Sequence, residues 1–256
     1  MSKLPKEHKF IDLSDYGRPF AKVIANALKN TTFTPIHVTI AFIIAGIFAI
    51  YCIVHSHYWL AAFFLILKSI LDAADGELAR VKQKPSYTGR YLDSVADILL
   101  NALFFIAIGY IASTPIWICI GAFLGLQLQG TLYNYYYVIL RNKFDGDTTS
   151  RVFENKTPIA LPGEKQKHVN ILFGMYKILY GAFDKSIYAL DSNAHKGAAL
   201  PKWFMTSVST FGLGFQLLLI AILLVLNLKS YILPFFLGYT IMVLVFIAIR
   251  KIFYKN

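Results

Sequence analysis

Two short runs of the chain carry carboxylates at helical spacing inside otherwise apolar sequence. The first reads Lys68-Ser69-Ile70-Leu71-Asp72-Ala73-Ala74-Asp75-Gly76-Glu77-Leu78-Ala79-Arg80, the second Gly89-Arg90-Tyr91-Leu92-Asp93-Ser94-Val95-Ala96-Asp97. Asp72, Asp75, Gly76 and Ala79 stand at i, i+3, i+4 and i+7, and Gly89, Asp93 and Asp97 at i, i+4 and i+8, so each set shares one helical face. The turn between the runs is short, which predicts antiparallel neighbouring helices whose acidic faces meet. Four carboxylates in a low dielectric repel one another strongly and stay ionised together only with cations. Lys68 and Arg80 supply two positive charges. The remaining deficit points to hard divalent ions, two Mg²⁺ or Mn²⁺, which take oxygen ligands and also hold substrate phosphates. Two such ions suit an in-line phosphoryl displacement. Gly76 and Gly89 leave room for a large phosphorylated ligand against the backbone. Ala79 is small to the same effect, and Arg80 is placed to bind a phosphate bidentately. The plainer alternative is that the acids merely pair with Lys and Arg at a membrane edge, but ionisable residues within a span read as functional by default.

The elements that position these residues read as membrane spans. The 256 residues are 57% hydrophobic and 15% charged, with a mean hydropathy of +0.55, and soluble domains carry roughly 25% charged residues. Apolar blocks at about 36–55, 58–80, 88–113, 116–140, 203–227 and 231–250 are each long enough to cross a bilayer, which needs roughly 20 residues. The expected fold is therefore an all-α integral membrane protein with six transmembrane helices. The net charge of +11 is spread over the flanks of these blocks, which argues for anionic lipid and against nucleic acid as a partner.

The Lys and Arg bias sets the orientation. Residues 1–35, the 80–90 turn, the 141–202 connection and the tail are basic (Lys3, Arg80, Arg90 and Lys255 among them), whereas the other connections hold only Lys229. The positive-inside rule puts both termini and the acidic runs in the cytoplasm. The chain thus divides into a cytoplasmic segment 1–35, a membrane domain 36–250 with a long cytoplasmic loop 141–202 between helices 4 and 5, and a tail 251–256. Residues 16–30, with Phe20, Val23, Ile24 and Leu28 among Arg18, Lys22 and Lys29, predict an interfacial helix. Residues 169–190 predict a second amphipathic helix, on lipid or packed in the cytoplasm. Residues 142–168 read as loop. The first 30 residues lack an apolar core of signal-peptide type. Cys52 and Cys119, both in apolar segments, predict two buried thiols.

Residues 72–97 read D-x-x-D-G-x-x-A-R-x8-G-x-x-x-D-x-x-x-D, which resembles the signature of the CDP-alcohol phosphatidyltransferases at all eight fixed positions. The resemblance implies six spans and a homodimer. It also implies that Asp72, Asp75, Asp93 and Asp97 organise two metal ions, with Asp97 the general base. Gly76, Ala79, Arg80 and Gly89 would line the cytidine diphosphate pocket, with Asp72 beside it. A T-P-N-x-x-T stretch common in that family reads Thr34-Pro35-Ile36-His37-Val38-Thr39 here. It departs at Ile36, and Pro35 and Thr39 carry over as weaker nucleotide contacts.

Further residues have two readings each. Lys68 precedes Asp72 by four and is either a counter-ion or an acceptor-binding group. His37 is a structural or interfacial histidine, or a phosphate contact. Tyr133, Tyr135, Tyr136 and Tyr137 read as an interfacial aromatic belt, with Arg141 or Lys143 touching an acceptor phosphate as the sharper alternative. For the reaction, CDP-diacylglycerol as donor to a small alcohol acceptor competes with a CDP-linked polar alcohol as donor to a lipid or polyol. A cation transporter is the rival of another class. It needs carboxylates or broken helices reaching both membrane faces, whereas these acids cluster at one end.

Overall fold

Backbone surrounded by lipid must satisfy its hydrogen bonds within its own segment, so long apolar blocks become helices. The computed structural model describes residues 4–144, 156–197 and 199–254, and no strand occurs among them. Lys3, Lys255 and the 145–155 part of the long connection lie outside the described residues. After a 3₁₀ turn at Leu13–Asp15 come α1 (Arg18–Leu28), α2 (Pro35–Val54), α3 (Tyr58–Val81), α4 (Tyr87–Ile111) and α5 (Ile116–Lys143). They are followed by α6 (Gln166–Leu190), α7 (Lys202–Val208), α8 (Leu213–Val225), α9 (Lys229–Tyr239) and α10 (Ile241–Phe253).

Among the described residues, four helical stretches are long and apolar enough to cross a membrane: α2, α4, α5 and the joined Lys229–Phe253. The chain is a multi-pass integral membrane protein. The α3 helix is long enough, but Lys68 at its middle and Asp72, Asp75, Glu77 and Arg80 in its second half interrupt the apolar run. The 203–227 block is not the single straight helix expected from its composition. Gly212 is extended (φ −70°, ψ 145°) after a 3₁₀ turn at Ser209–Phe211, and the two arms meet at 55°.

The bend has a physical use, because it receives the N-terminal segment. The Leu13 amide donates to Ser209 Oγ at 2.9 Å. A Cβ on Gly214 would come within 1.9 Å of the Ser14 carbonyl oxygen, so the segment lies on α8 at a distance only glycine allows.

A large apolar core joins α2, α3, α4, α5, α8 and α9. A second joins the N-terminal segment with α5, α7 and α10. The α2 helix packs along both α3 and α4, whose backbones stay apart along most of their length, while α6 covers α4 from another side. The two acid-bearing helices are the neighbours that their short turn predicts, and they meet through side chains, Lys68 of α3 binding Asp97 of α4, more than through close backbone packing.

The tyrosines of α5 are not an interfacial belt either. Tyr135 and Tyr136 are buried in the second core, and their hydroxyls donate to the Asp191 backbone carbonyl at 2.9 Å and its carboxylate at 2.8 Å. Asp191 also pairs with Arg250, so burial of the rings follows from an ion pair 55 residues away in sequence.

Buried amides hold the last helices. The turn into α10 frees the Phe236 carbonyl, which accepts from Gln129 Nε2 at 3.1 Å and Thr240 Oγ1 at 2.9 Å. Gln216 Nε2 donates to Gln129 Oε1 at 3.1 Å. Such bonds join helices in lipid, where apolar burial offers little drive.

Gly214→Ala is expected to lift the N-terminal segment off α8. The expected cost is about 1–3 kcal/mol, as for other overpacking. Thermal unfolding in detergent measures the loss, and faster tryptic cleavage at the exposed Lys9 reports the displaced segment.

Candidate functional site

The α3 and α4 helices bring their acidic faces together at one end. One carboxylate oxygen each of Asp72, Asp75 and Asp93 lies within 4.8 Å of the others. Asp75 is buried and accepts from Thr39 Oγ1 of α2 at 2.7 Å, so Thr39 reaches the site by holding an acid. Asp93 Oδ1 is buried with no hydrogen-bond partner.

Asp97 stands slightly apart, because its Oδ1 is bound by Lys68 Nζ. The same ammonium lies 3.3 Å from Asp72 Oδ2 and 4.7 Å from the Phe42 ring centre. The Lys68 side chain is fully buried, and these contacts favour its counter-ion reading.

An orphaned buried carboxylate oxygen beside two further carboxylates is an oxygen-only donor set, which fits Mg²⁺ or Mn²⁺. Asp72, Asp75 and Asp93 are the residues that would hold such an ion.

One turn further along α3, the Arg80 guanidinium extends over Gly76. A Cβ there would stand 3.6 Å from both of its terminal nitrogens. Arg80 pairs with Glu77 Oε1 at 3.0 Å, which also takes Arg18 Nη1 of α1 at 2.6 Å, and Arg80 Nε is buried without a partner. A guanidinium whose terminal nitrogens extend over a glycine suits an anionic ligand. Ala79 is half-buried beside it. Gly89 opens the first turn of α4 next to Ile36, whose side chain stands 3.7 Å from where its Cβ would be.

Other sequence candidates have different surroundings. His37 Nδ1 accepts the Thr34 amide at 3.1 Å in a capping box with Pro35 as first helical residue, which is the structural role. Arg141 lies over the Tyr137 ring at 5.0 Å. Lys143 Nζ donates to the Gly197 carbonyl at 2.8 Å, tying the end of α5 to the segment before α7.

Two contributors come from the stretch read as loop and amphipathic helix. Glu164 accepts from Ser86 Oγ at 2.7 Å, the Thr88 amide at 2.7 Å, the Tyr87 amide at 3.2 Å and the Leu161 amide at 3.1 Å. Burial pushes its carboxyl up, but the Ser86, Thr88 and Leu161 hydrogen bonds outweigh this and leave it below the usual glutamate range. Only the Pro162-Gly163 pair of a turn precedes it as a sequence signal. Tyr180 of α6 donates to the Ser94 carbonyl at 3.0 Å, between Asp93 and Asp97. Burial first, then the charges of Asp97 and Asp93, hold its hydroxyl protonated well above the ordinary range.

The sequence pattern of the CDP-alcohol phosphatidyltransferases matches residues 32–162, just over half of the chain. The chain is also 34% identical over 122 residues to the bifunctional IPC transferase and DIPP synthase of Thermococcus kodakarensis, an alignment that covers 46% of this chain and 27% of that protein. The alignment thus spans about a quarter of the length of that curated relative.

Two expectations follow. Lys68→Met leaves Asp72 and Asp97 without their cation, and breaking a buried pair in this way costs about 3–5 kcal/mol. Unfolding in EDTA should show the full loss, and Mn²⁺ should recover part of it. The second concerns acid. A carboxyl lowered on folding adds stability above the unfolded glutamate value of about 4.3, and that stability disappears as pH falls through the lower folded value. The thermal midpoint of the wild type should therefore fall between about pH 5 and 3 more than that of Glu164→Gln, and equal slopes would contradict the bonded carboxylate.

Proposed function

The chain belongs to the CDP-alcohol phosphatidyltransferase family, and from that footing we propose that it moves a substituted phosphoryl group from a CDP-activated alcohol to an acceptor hydroxyl, releasing CMP. The observation that carries this reading is the convergence of Asp72, Asp75 and Asp93, with ligand oxygens within 4.8 Å, next to Arg80 over Gly76.

The cytidine diphosphate lies against Gly76, Ala79, Arg80 and Gly89, with Asp72 and Thr39 at its edge. Arg80 holds a phosphate through its terminal nitrogens over Gly76. Asp97 takes the proton of the acceptor hydroxyl. The acceptor oxygen then bonds to the phosphorus farther from cytidine, while that phosphorus loses its bond to the bridging oxygen, which leaves with CMP. When Asp97 becomes neutral, Lys68 keeps Asp72 as counter-ion, so the buried ammonium is not stranded. Two Mg²⁺ or Mn²⁺ ions, when bound, supply charge stabilisation to the phosphoryl oxygens.

The proposal takes α3 as a crossing too, with the α7–α8 pair as one bent span, six in all. At about 1.5 Å per residue the 24 residues of α3 exceed a hydrocarbon core of about 30 Å. Its buried side holds Lys68 and Asp75, and its outer side presents Trp59, Leu60 and Phe63. The basic flanks put the acidic end and both termini in the cytoplasm. Under this proposal the 36–250 membrane domain works as a homodimer, and Arg141 and Lys143 are the weaker acceptor contacts.

CDP-diacylglycerol is the proposed donor, its acyl chains remaining in the bilayer beside the interfacial α1, whose Phe20 and Val23 are exposed. In a second reading the donor is a CDP-linked polar alcohol and the acceptor a lipid or polyol hydroxyl, since the 72–97 signature is compatible with either donor.

The test is CMP release by purified protein with Mg²⁺ or Mn²⁺. One set offers CDP-diacylglycerol with serine, glycerol 3-phosphate, inositol or inositol 1-phosphate. The other offers CDP-choline, CDP-ethanolamine or CDP-inositol with diacylglycerol or a polyol. Release in the first set supports the lipid donor, and release only in the second supports the polar one. Asp97→Asn should lower turnover about a hundredfold or more, the scale of general-base catalysis. Metal flux without CMP release in any mixture would favour the transporter and sink the transferase reading.

A further inference from the structure

The α3 and α4 backbones stay apart along most of their length and meet through side chains such as Lys68 and Asp97, so the distance between their acids depends also on what holds each helix from outside. On α3, Asp75 is held by Thr39 of α2. On α4, Asp93 Oδ1 has no partner, so its direction depends on where α4 as a whole is placed.

The start of α4 has an unusual cap. The first amides of a helix have no partner within it. Here the Gly89 amide donates to Ser86 Oγ at 2.8 Å, and that hydroxyl donates onward to Glu164 Oε1 at 2.7 Å. Glu164 takes the Thr88 and Tyr87 amides directly. Its negative charge also complements the positive end of the helix. The whole first turn of α4 thus closes on one carboxylate from a segment more than seventy residues later.

That carboxylate is held rigidly. Leu161-Pro162-Gly163-Glu164 is a tight turn closed by the Glu164 amide on the Leu161 carbonyl at 3.0 Å. Gly163 has φ +90°, a conformation suited to glycine after proline. The side chain also accepts the Leu161 amide. Gln166, at the start of α6, clasps the same stretch through the Pro158 carbonyl at 3.1 Å and the Ala160 amide at 2.8 Å. From there α6 follows α4. Tyr91 is buried with Val169 and Phe173, and Tyr180 reaches the Ser94 carbonyl. Glu164 itself lies just beyond the residues matched by the family pattern, 32–162.

We propose that Glu164 is a positioning residue of the acid cluster: by closing the first turn of α4 it sets where Asp93 and Asp97 stand against Asp72 and Asp75. The proposal rests on the reading of that cluster as a divalent-metal site. Glu164 touches neither ligand nor reacting atom and acts through the helix.

The test uses the full-length protein in detergent and Mn²⁺ alone, its binding followed by electron paramagnetic resonance, with CMP release against Mn²⁺ concentration as a second readout. Glu164→Ala is expected to weaken Mn²⁺ binding about 10-fold or more, the scale of losing a supporting residue behind a metal ligand. The half-activating concentration should rise in parallel. Glu164→Gln, whose amide oxygen still accepts backbone amides, should return binding to within about threefold of wild type on that scale. A residue that only stabilised the fold would reduce the number of binding sites and leave their affinity unchanged, and that result, or no rescue by glutamine, overturns the proposal. Should Glu164→Ala not be recovered folded, Glu164→Asp carries the test. Its shorter carboxylate should weaken Mn²⁺ binding about threefold or more on the same scale, and unchanged affinity overturns the proposal. Asp93→Ala separates the two ideas. Wild type that binds no more Mn²⁺ than Asp93→Ala removes the metal-site reading and the proposal with it, whereas normal wild-type binding with an unaffected Glu164→Ala removes the proposal alone.

Discussion

A fully buried ammonium stands between two carboxylates midway along α3 and α4, and much of the molecule follows from accommodating it. Lys68 without Asp72 and Asp97 would be an isolated charge in a low dielectric, which proteins do not tolerate. Asp72, Asp75, Asp93 and Asp97 without Lys68 and further cations would repel one another. The arrangement is stable only if the charged side of α3 is turned wholly inward. That is why its outward side chains are Trp59, Leu60 and Phe63, and why Phe42 of α2 lies under the ammonium. One cation shared by two acids leaves the remaining carboxylates in deficit, and the orphaned Asp93 Oδ1 is where that deficit is visible.

The site is assembled by bystanders more than by its own helices. The α2 helix lies against both α3 and α4 and contributes Thr39. The α1 helix sends Arg18 to Glu77, which in turn holds Arg80. The N-terminal segment occupies the bend between α7 and α8. These contacts hold the two acid-bearing helices from outside, while their acidic faces meet through Lys68 and the carboxylates.

Where the bundle is interrupted, buried polar groups repair it. At the bend before Gly212 the Ser209 hydroxyl accepts the Leu13 amide, and the turn into α10 frees a carbonyl taken by Gln129. Glu164 applies the same logic at the site itself, since the first amides of α4 need acceptors that neither lipid nor α4 provides. A membrane protein has little apolar drive between helices, so specific hydrogen bonds decide which faces meet.

Much of the chemistry was legible in the order of residues, and for a local reason. The 3.6-residue period puts Asp72 with Asp75 and Asp93 with Asp97 whatever surrounds them, and runs of apolar residues must be helical in lipid. The all-helical membrane class, the shared faces of the acids and the amphipathic helices at 16–30 and 169–190 follow from such local rules, and the family was legible as a resemblance of residues 72–97 to a known signature. What the tertiary structure alone decided depends on residues far apart in the chain. The tyrosines of α5 turned inward because Asp191 and Arg250 meet behind them. The 203–227 block bent because an N-terminal segment lies in its elbow. Asp97 separated from the other acids because Lys68 reached it across the gap between helices. Glu164 found the start of α4 from a loop with no motif of its own. Helical periodicity carries no information about such pairings, since each is a contact between groups whose distance in sequence says nothing of their distance in space.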